Sequence, residues 1–259
     1  MLIVSFTTIP SRIKYINNTI DSILNQTTKP NYILLNIPEI FERTNQSYLI
    51  PDNLSEEIIL NICKNDYGPA TKLIPTIEYL KENHFPPDTK IIIVDDDIIY
   101  PDEMIENLVK FYDGINIFGC SGFNFTNFYL QSVLEHKSKV QVIEGYSGYI
   151  CGLNYFKNDF YEYLNICLKN KDCKKSDDVF ISNYFTKHKR DKIIINQRKY
   201  SKKYIWTNNC ICTYGNDNDA LHVIDNNVKK YEKTIEYLKK KDILYLKYKY
   251  RNINALVMV

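Results

Sequence analysis

Short, mostly apolar runs alternate with amphipathic segments along the first part of the chain. Residues 2–6, 58–62 and 91–94, and the run NYILLNIP, have the length and composition of buried strands. Residues 15–24 (YINNTIDSIL) carry apolar side chains at helical spacing between the first strand and NYILLNIP. A strand, a helix and a second strand in this order predict a parallel sheet with right-handed crossover connections.

The same alternation continues to the end of the sequence. Helices are predicted in DYGPATKLIPTIEYLKEN, with Pro69 at its first position, and in PDEMIENLVKFY, started by Pro101 and Asp102. Further strands are predicted in INIFGCSGF, KVQVIEGYSGYICG and DKIIIN, and further helices in SDDVFISNYFTKH and NNVKKYEKTIEYLKKK. The last helix has an apolar stripe at Val228, Tyr231, Ile235 and Leu238. The pattern predicts one α/β domain over residues 1–259, with an open, mostly parallel sheet and helices on both faces.

Composition restricts the class of protein but says little about its function. A chain of 259 residues, 44% of them hydrophobic, can bury a sizeable core. A formal net charge of +2 gives no reason to expect a nucleic-acid partner. No apolar run approaches the roughly 20 residues of a membrane span, and the first residues lack the basic leader of a signal peptide. Seven cysteines without a CxxC pair favour free thiols in a reducing compartment. We therefore expect a soluble, cytoplasmic protein without a transmembrane segment.

Three consecutive carboxylates, Asp95, Asp96 and Asp97, directly follow the apolar run at residues 91–94. Ligands of open α/β sheets bind at the carboxyl ends of the strands, where this triplet lies. Strand alternation predicts Asp95 and Asp97 on one side and Asp96 on the other. Two carboxylates about 4 Å apart repel each other by roughly 4 kcal/mol at an effective dielectric constant near 20. A hard dication such as Mg²⁺ or Mn²⁺ would remove that penalty. The alternative is a solvated turn or a helix cap, although Asp102 is better placed to cap.

A lysine is predicted in the first turn of the helix that begins in DYGPATKL. There, Lys72 opposes the helix dipole unless an anion binds at the same end of the helix. Phosphate groups held near the aspartate triplet would be such an anion. The alternative is a lysine that extends into water along its own apolar stem.

A second acidic pair, Asp177 and Asp178, is predicted at the start of the helix in SDDVFISN. Acidic residues favour the first turn, and Ser176 can cap the helix, so a purely structural role is one interpretation. The other is that one of the two is a general base that removes a proton from an attacking hydroxyl. We favour Asp178 for that role.

Aromatic residues and one histidine complete the candidates. Trp206 and the tyrosines of EGYSGY could form the wall of a sugar site, although core packing is the default for each of them. His222, in ALHVID, stands alone, and a lone histidine is more often structural or solvated than a ligand.

The ordered set FTTIPSR, DYGPATKL, IIIVDDDIIYP, GYSGYICG and SDDVFIS resembles nucleotide-sugar glycosyltransferases of the GT-A fold, related to the family-2-type group. The resemblance covers residues 2–195. It implies a single Rossmann-like GT-A domain with a nucleotide-binding half, residues 1–115. Residues 116–259 would then form the acceptor-binding half and the C-terminal helix.

The resemblance also implies roles for individual residues. The base and ribose would be held by Thr7, Thr8, Pro10 and Arg12, and the nucleoside and phosphates by Asp66 and Lys72. Asp95 and Asp96 match the ribose-side and metal-side carboxylates, and Asp97 matches the principal ligand of Mn²⁺ or Mg²⁺, with Asp95 and His222 as further ligands. The loop with Gly145, Ser147 and Gly148 matches the wall near the donor sugar and acceptor, and Asp178 matches the catalytic base of an inverting enzyme.

Two departures from the family pattern bear on the function. The acidic pair reads SDD where many members have Glu-Asp. The QxxRW signature of processive polymer synthases is absent, since QRKYSKKYIW has the letters at the wrong spacing. We therefore expect a transferase that adds single sugars from a UDP or GDP sugar to a glycan or other hydroxyl acceptor.

Three rival functions use some of the same features. A phosphohydrolase with an aspartate nucleophile also has DxD after an apolar strand, but normally after the first strand. A nucleotidyltransferase normally carries a glycine-rich phosphate loop after that strand, and TTIPSR contains no glycine. A sugar-binding or nucleotide-binding module without catalysis would not need Asp97 and Asp178.

Overall fold

A computed structural model gives the fold and describes residues 1–125, 130–133, 135–195 and 227–247. The strands are β1 (Leu2–Thr7), β2 (Tyr32–Pro38), β3 (Ile58–Cys63), β4 (Lys90–Ile93), β5 (Ile117–Gly119), β6 (Gly122–Phe125), β7 (Leu130–Val133), β8 (Lys139–Val140), β9 (Val142–Ile143), β10 (Tyr149–Gly152) and β11 (Lys192–Ile194). The α-helices are α1 (Asn17–Leu24), α2 (Ile74–Glu82), α3 (Met104–Phe111), α4 (Phe160–Cys167), α5 (Lys171–Lys174), α6 (Asp177–Lys187) and α7 (Asn227–Lys240).

Eight strands form the central sheet, in the order β3-β2-β1-β4-β10-β5-β11-β8. Strand β1 is parallel to β2 and β4, β2 is parallel to β3, and β5 is parallel to β11. Strand β10 is antiparallel to both of its neighbours, β4 and β5, and β8 is antiparallel to β11. The prediction of an α/β fold with a mostly parallel sheet is confirmed. Strands β7, β6 and β9 form a second, small antiparallel sheet.

Helices cover both faces of the central sheet, as the sequence pattern predicts. Alternate residues of β4 show why: Ile91 and Ile93 pack on one side with α2, α4 and α6, whereas Ile92 packs on the other with α1 and α3. All three isoleucines are fully buried. A central strand that is buried on both faces therefore reads as a continuous apolar run. Among the described residues, none of the helices has both the length and the apolarity that crossing a bilayer requires.

The segment predicted as one helix from Pro69 onward is divided in two. Residues Gly68–Lys72 form a 3-10 helix, and α2 begins only at Ile74. Pro75 lies in the first turn of α2 and has no N–H to donate to the preceding turn, so the α-helical hydrogen bonds cannot continue across it. Lys72 therefore ends a 3-10 helix, and its predicted position in the first turn of an α-helix is wrong.

Other predicted helix boundaries also change. Helix α3 begins at Met104, and the predicted cap, Asp102, does not cap it. Instead the Gln26 side chain accepts a hydrogen bond from the Ile105 N–H at 2.9 Å, which satisfies one of the exposed donors of that helix. In α6, Ser176 holds the N-cap position, but its hydroxyl donates to the carbonyl of Asp172 rather than capping the helix.

The apolar stripe of the C-terminal helix is buried over most of its length. Tyr231, Ile235 and Leu238 are buried, whereas Val228, at the start of α7, is 38% exposed. Tyr231 and Ile235 pack with Phe123 of β6 and with α6. The helix thereby closes over the end of the molecule where α5 and α6 begin.

Candidate active site

A cavity of about 730 Å³ opens at the edge of the sheet where β1, β2 and β4 end. This is the edge at which parallel α/β sheets bind their ligands. The cavity is lined by nine of the residues that the sequence singles out: Thr7, Thr8, Arg12, Asp66, Lys72, Asp95, Asp96, Asp97 and Asp178. Segments far apart in the sequence therefore contribute to one chamber.

The aspartates of the triplet form ion pairs with two different cations. Arg12 Nη1 lies 2.6 Å from Asp97 Oδ2 and 3.2 Å from Asp96 Oδ1. Asp95 instead pairs with Lys72, whose Nζ lies 2.8 Å from Asp95 Oδ1. The predicted alternation of the three side chains is wrong, because β4 ends at Ile93 and the triplet lies beyond the strand. Strand alternation no longer applies there.

The pKa values of Asp96 and Asp97 are raised even though Arg12 lies beside both carboxylates. Burial raises the pKa of Asp96 to about 7 despite the opposing charge of Arg12, and the charge of Asp97 adds to that rise. Burial and the charge of Asp95 likewise raise the pKa of Asp97. Thr8 Oγ1 donates a hydrogen bond to Asp96 Oδ2 at 2.5 Å. The carboxylates are therefore held in fixed positions, and further positive charge would stabilise them.

Lys72 links the triplet to the second acidic pair. Its Nζ lies 3.1 Å from Asp177 Oδ2 as well as 2.8 Å from Asp95 Oδ1, and its side chain is 7% exposed. Burial alone would lower the pKa of Lys72, but the charges of Asp177 and Asp95 outweigh it and raise that pKa well above its usual value. The alternative of a lysine extended into water is wrong.

The two acids at the start of α6 have different surroundings. Asp177 is paired with Lys72. Asp178 Oδ1 accepts a hydrogen bond from the Gly145 N–H at 2.9 Å, and in the described part of the chain no lysine or arginine lies within ion-pair distance of Asp178. Burial and the neighbouring charge of Asp177 raise the pKa of Asp178 well above its usual value. Asp178 is thus the member of the pair that is better placed to accept a proton.

The glycine-rich loop before β10 meets the cavity at one end only. A Cβ on Gly145 would lie 2.7 Å from Lys72 Nζ, so only glycine leaves room for the lysine. Ser147 hydrogen-bonds to Ser121 Oγ at 3.0 Å, and Gly148, at φ +89°, packs near Met104 of α3. The cavity lining includes Glu144 and Tyr146 of this loop but not the predicted residues Gly145, Ser147 and Gly148.

Two further candidates from the sequence, Pro10 and Asp66, help to fix the loops around the cavity. Pro10 lies outside the lining, in the turn in which the Arg12 N–H donates to the Ile9 carbonyl at 2.9 Å. Asp66 accepts hydrogen bonds from the N–H groups of Gly68 and Glu42, at 2.7 and 2.9 Å. Asp66 therefore joins the segment after β2 to the turn after β3. His222 and Trp206 lie outside the described residues.

Several residues that line the cavity were not predicted from the sequence to do so. Tyr48, in the segment between β2 and β3, donates its hydroxyl hydrogen to the Thr8 carbonyl at 3.0 Å and packs edge-on against Phe41, with ring centroids 6.5 Å apart. Tyr231 of α7 also lines the cavity. Of the EGYSGY tyrosines that the sequence offered as a wall, Tyr146 lines the cavity and Tyr149 does not. Lysines complete the wall beside α5 and α7: Lys171, Lys174, Lys175 and Lys230. The basic run KNKDCKK was the available signal for the first three.

The protein ligands of a metal ion are incomplete in the described part of the chain. No cluster of three or more His, Cys, Asp or Glu side chains is arranged there to hold a metal ion. Asp95 and Asp97 supply carboxylate oxygens at the cavity, with side chains 30% and 15% exposed. Mg²⁺-type sites often use one or two carboxylates together with substrate phosphates. The residues present therefore fit a dication that is shared with a phosphorylated ligand.

No protein-family model matches the sequence, and no curated protein matches it. Solved structures with a similar fold include a mannosyltransferase from Pyrobaculum calidifontis in complex with GDP-Man and Mn²⁺, at 12% identity and a TM-score of 0.44 over 74% of this chain and 54% of that one. TarS from S. aureus in complex with UDP is similar at 12% identity and a TM-score of 0.45, over 75% of this chain and 57% of that one. A 4-diphosphocytidyl-2C-methyl-D-erythritol synthase is similar at 7% identity and a TM-score of 0.45, over 80% and 95%. This chain spans little more than half of the length of the first two proteins.

Proposed function

We propose that this protein is a metal-dependent glycosyltransferase that moves one sugar from a nucleoside-diphosphate sugar to an acceptor hydroxyl. The observation that carries the proposal is the joint placement of the aspartate triplet, Arg12, Lys72 and Asp178 in one cavity at the carboxyl ends of the parallel strands. A diphosphate needs cations, and a hydroxyl nucleophile needs a base. The cavity places cations and a candidate base next to each other, because Lys72 contacts both Asp95 of the triplet and Asp177 at the start of α6.

The nucleotide is proposed to bind along the ends of β1 and β3. Thr7 and Thr8 end β1, Arg12 follows the Pro10 turn, and Asp66 fixes the turn after β3. Tyr48 and Phe41 provide an aromatic wall on this side of the cavity, which suits a planar base. The nucleotide is of the UDP or GDP type.

The diphosphate is proposed to lie over the triplet and beside Lys72. Mn²⁺ or Mg²⁺, held there by Asp97 and Asp95 together with phosphate oxygens, would supply Lewis acidity to the leaving diphosphate. The guanidinium of Arg12 pairs with Asp97 in this structure. A dication on Asp97 would replace that pairing, and the guanidinium would then be available to contact a phosphate oxygen. Lys72 stays buried and fixes the carboxylate of Asp95. His222 remains a predicted further ligand.

Asp178 is proposed to be the catalytic base. Its carboxylate takes the proton from the acceptor hydroxyl while that oxygen forms a bond to the anomeric carbon, and the bond from this carbon to the diphosphate oxygen breaks. A single displacement from the opposite face inverts the configuration. Burial and the charge of Asp177 raise the pKa of Asp178, which makes its carboxylate a stronger proton acceptor than an ordinary aspartate. Gly145 orients the carboxylate through its N–H, with Ser147 and Gly148 fixing the loop behind it.

A panel of UDP and GDP sugars tests this function. The purified chain is incubated with each donor, Mn²⁺ and a set of hydroxyl acceptors, and release of nucleoside diphosphate is measured. The proposal predicts metal-dependent release from one donor class, with inverted configuration in the product. Acyl-phosphate trapping without any nucleotide requirement would instead indicate the phosphohydrolase, and binding without release would indicate a module that lacks catalysis.

A further inference from the structure

Positive charge is concentrated on two helices beside the cavity. Residues 169–175, which contain α5, and residues 227–241, which contain α7, together hold ten lysines and three acidic residues. The whole chain has a formal net charge of only +2, so the remainder is net acidic. We call the surface formed by these two segments the basic shelf.

The basic shelf is one continuous piece of the molecule. Helices α5 and α7 pack against each other. The hydroxyl groups of Thr234 and Ser176 hydrogen-bond at 3.1 Å, and Lys233 Nζ lies 3.9 Å from Asp172 Oδ2. The two helices are thereby held beside one another.

The shelf leads into the cavity on the side of the proposed base. Its cavity end is formed by four lysines that line the wall: Lys171, Lys174, Lys175 and Lys230. Lys174 is paired there with Glu42, whose Oε2 lies 2.6 Å from its Nζ, so the shelf charge at this end comes mainly from the other three. The α5 lysines come just before Asp177 and Asp178 in the chain, and both groups line the same cavity. Tyr231 of α7 lines the same wall.

We infer that the basic shelf binds the acceptor, and that the acceptor is an oligosaccharide or glycan that carries carboxylate or phosphate groups. The inference rests on the proposed function, because it uses Asp178 as the group that receives the acceptor proton. The donor diphosphate already has partners in the proposal, namely Arg12, Lys72 and the dication on the triplet. The charge of the shelf would therefore serve a second anionic ligand, and the place of that ligand is set by the base.

Complementary charge along a surface that leads to a site raises the association rate and orients the ligand. Such attraction is screened over about 8 Å at physiological salt, so it acts on groups that lie close to the shelf and weakens as salt is added. A neutral acceptor would gain nothing from the lysines. Preference for an anionic chain and sensitivity to salt are thus the two expected signatures.

Direct binding tests the inference without requiring turnover. The probes are a short oligogalacturonate, phosphorylated maltoheptaose and neutral maltoheptaose, each titrated into the purified chain by calorimetry with saturating nucleoside diphosphate and Mn²⁺ present. We expect both anionic probes to bind and maltoheptaose not to bind. Raising NaCl from about 50 mM to about 300 mM should weaken the anionic probes severalfold.

A double variant, Lys171→Gln with Lys175→Gln, should weaken the anionic probes about tenfold and leave the affinity for nucleoside diphosphate with Mn²⁺ unchanged. The matched control is Lys110→Gln with Lys139→Gln, two exposed lysines outside the shelf and outside the cavity lining, which removes the same charge and should change neither affinity. Loss of nucleotide affinity in the first variant would place the lysines in the donor site and overturn the inference. Equal binding of maltoheptaose would also overturn it. Vesicles of phosphatidylglycerol and phosphatidylcholine are titrated as a further probe, and binding to these vesicles but to neither anionic oligosaccharide would overturn the inference as well. If the anionic probes fail while nucleotide still binds, the inference fails and the proposed function stands.

Discussion

Removing Arg12 should destabilise the protein by an amount that depends on pH. The variant Arg12→Met keeps much of the apolar stem of the side chain and removes the guanidinium that contacts Asp96 and Asp97 at 3.2 and 2.6 Å. Both carboxylates are largely buried, with side chains 4% and 15% exposed. Breaking a buried ion pair from one side typically costs about 3–5 kcal/mol. We expect a loss near the lower limit, about 3 kcal/mol, because the cavity admits water to Asp97.

The pH dependence follows from the pKa of Asp96. This pKa is about 7 in the folded protein, well above its ordinary value, because burial and the neighbouring acids disfavour the charged form. A carboxyl with a raised folded pKa binds more protons in the folded than in the unfolded state, so its contribution to stability falls as pH rises from its unfolded pKa to its folded one. At about pH 5.5 Asp96 already carries a proton in the wild type, so loss of Arg12 costs less there.

The size of the difference can be worked from the same value. Above about pH 7 the wild-type Asp96 has lost its proton, whereas without Arg12 it keeps the proton, so the cost of losing Arg12 grows by about 1 kcal/mol for each pH unit above the wild-type pKa of about 7. The loss should therefore be about 3 kcal/mol at about pH 8 and about 2 kcal/mol at about pH 5.5.

Urea unfolding followed by circular dichroism measures both losses, with a chelator present at both pH values. Lys64→Met is the control, since it removes one cation at an exposed residue outside the cavity lining and should alter stability by less than about 0.5 kcal/mol. An Arg12→Met loss that is equal at both pH values, or larger at the lower one, would refute the account of the triplet.

Three further variants test individual residues. Asp178→Asn should lower the transfer rate at least about a hundredfold while nucleotide affinity is kept, measured by steady-state kinetics and calorimetry; near-normal transfer would place the base elsewhere. Lys72→Met should cost about 3 kcal/mol in urea unfolding, because Asp95 and Asp177 both lose their buried partner; an unchanged stability would show that water replaces the lysine. Gly145→Ala should displace Lys72, since the new Cβ would lie 2.7 Å from its Nζ, and we expect several-fold weaker nucleotide binding with little change in the fold; unchanged affinity would contradict a role for Lys72 beside the diphosphate.

The sequence predicted the main strands well because they are buried on both faces. Strand β4, with fully buried Ile91, Ile92 and Ile93, has no polar position to interrupt its pattern. The same reasoning predicted an edge of the sheet rich in functional groups, and the structure brings Arg12, Lys72 and the triplet together there.

What the sequence could not predict depends on contacts between distant segments. The partners of Lys72 lie in the turn after β4 and at the start of α6, and no local pattern connects those two places. Strand alternation predicted the orientation of the triplet incorrectly because the pattern of residues does not show that the strand ends two residues before it. The apolar stripe of α7 predicted which face is buried, but not that Tyr231 would border the cavity.

Calorimetric titration of nucleoside diphosphate, with Mn²⁺ and with a chelator, tests the central claim most directly. Because the described protein ligands are incomplete without phosphate oxygens, the ion and the nucleotide should bind cooperatively. The account predicts that Mn²⁺ tightens the binding of UDP or GDP at least about tenfold, and that Asp97→Asn abolishes this gain while the chain stays folded. Nucleotide affinity that is the same with Mn²⁺ and with the chelator, or a full Mn²⁺ effect in Asp97→Asn, would contradict it.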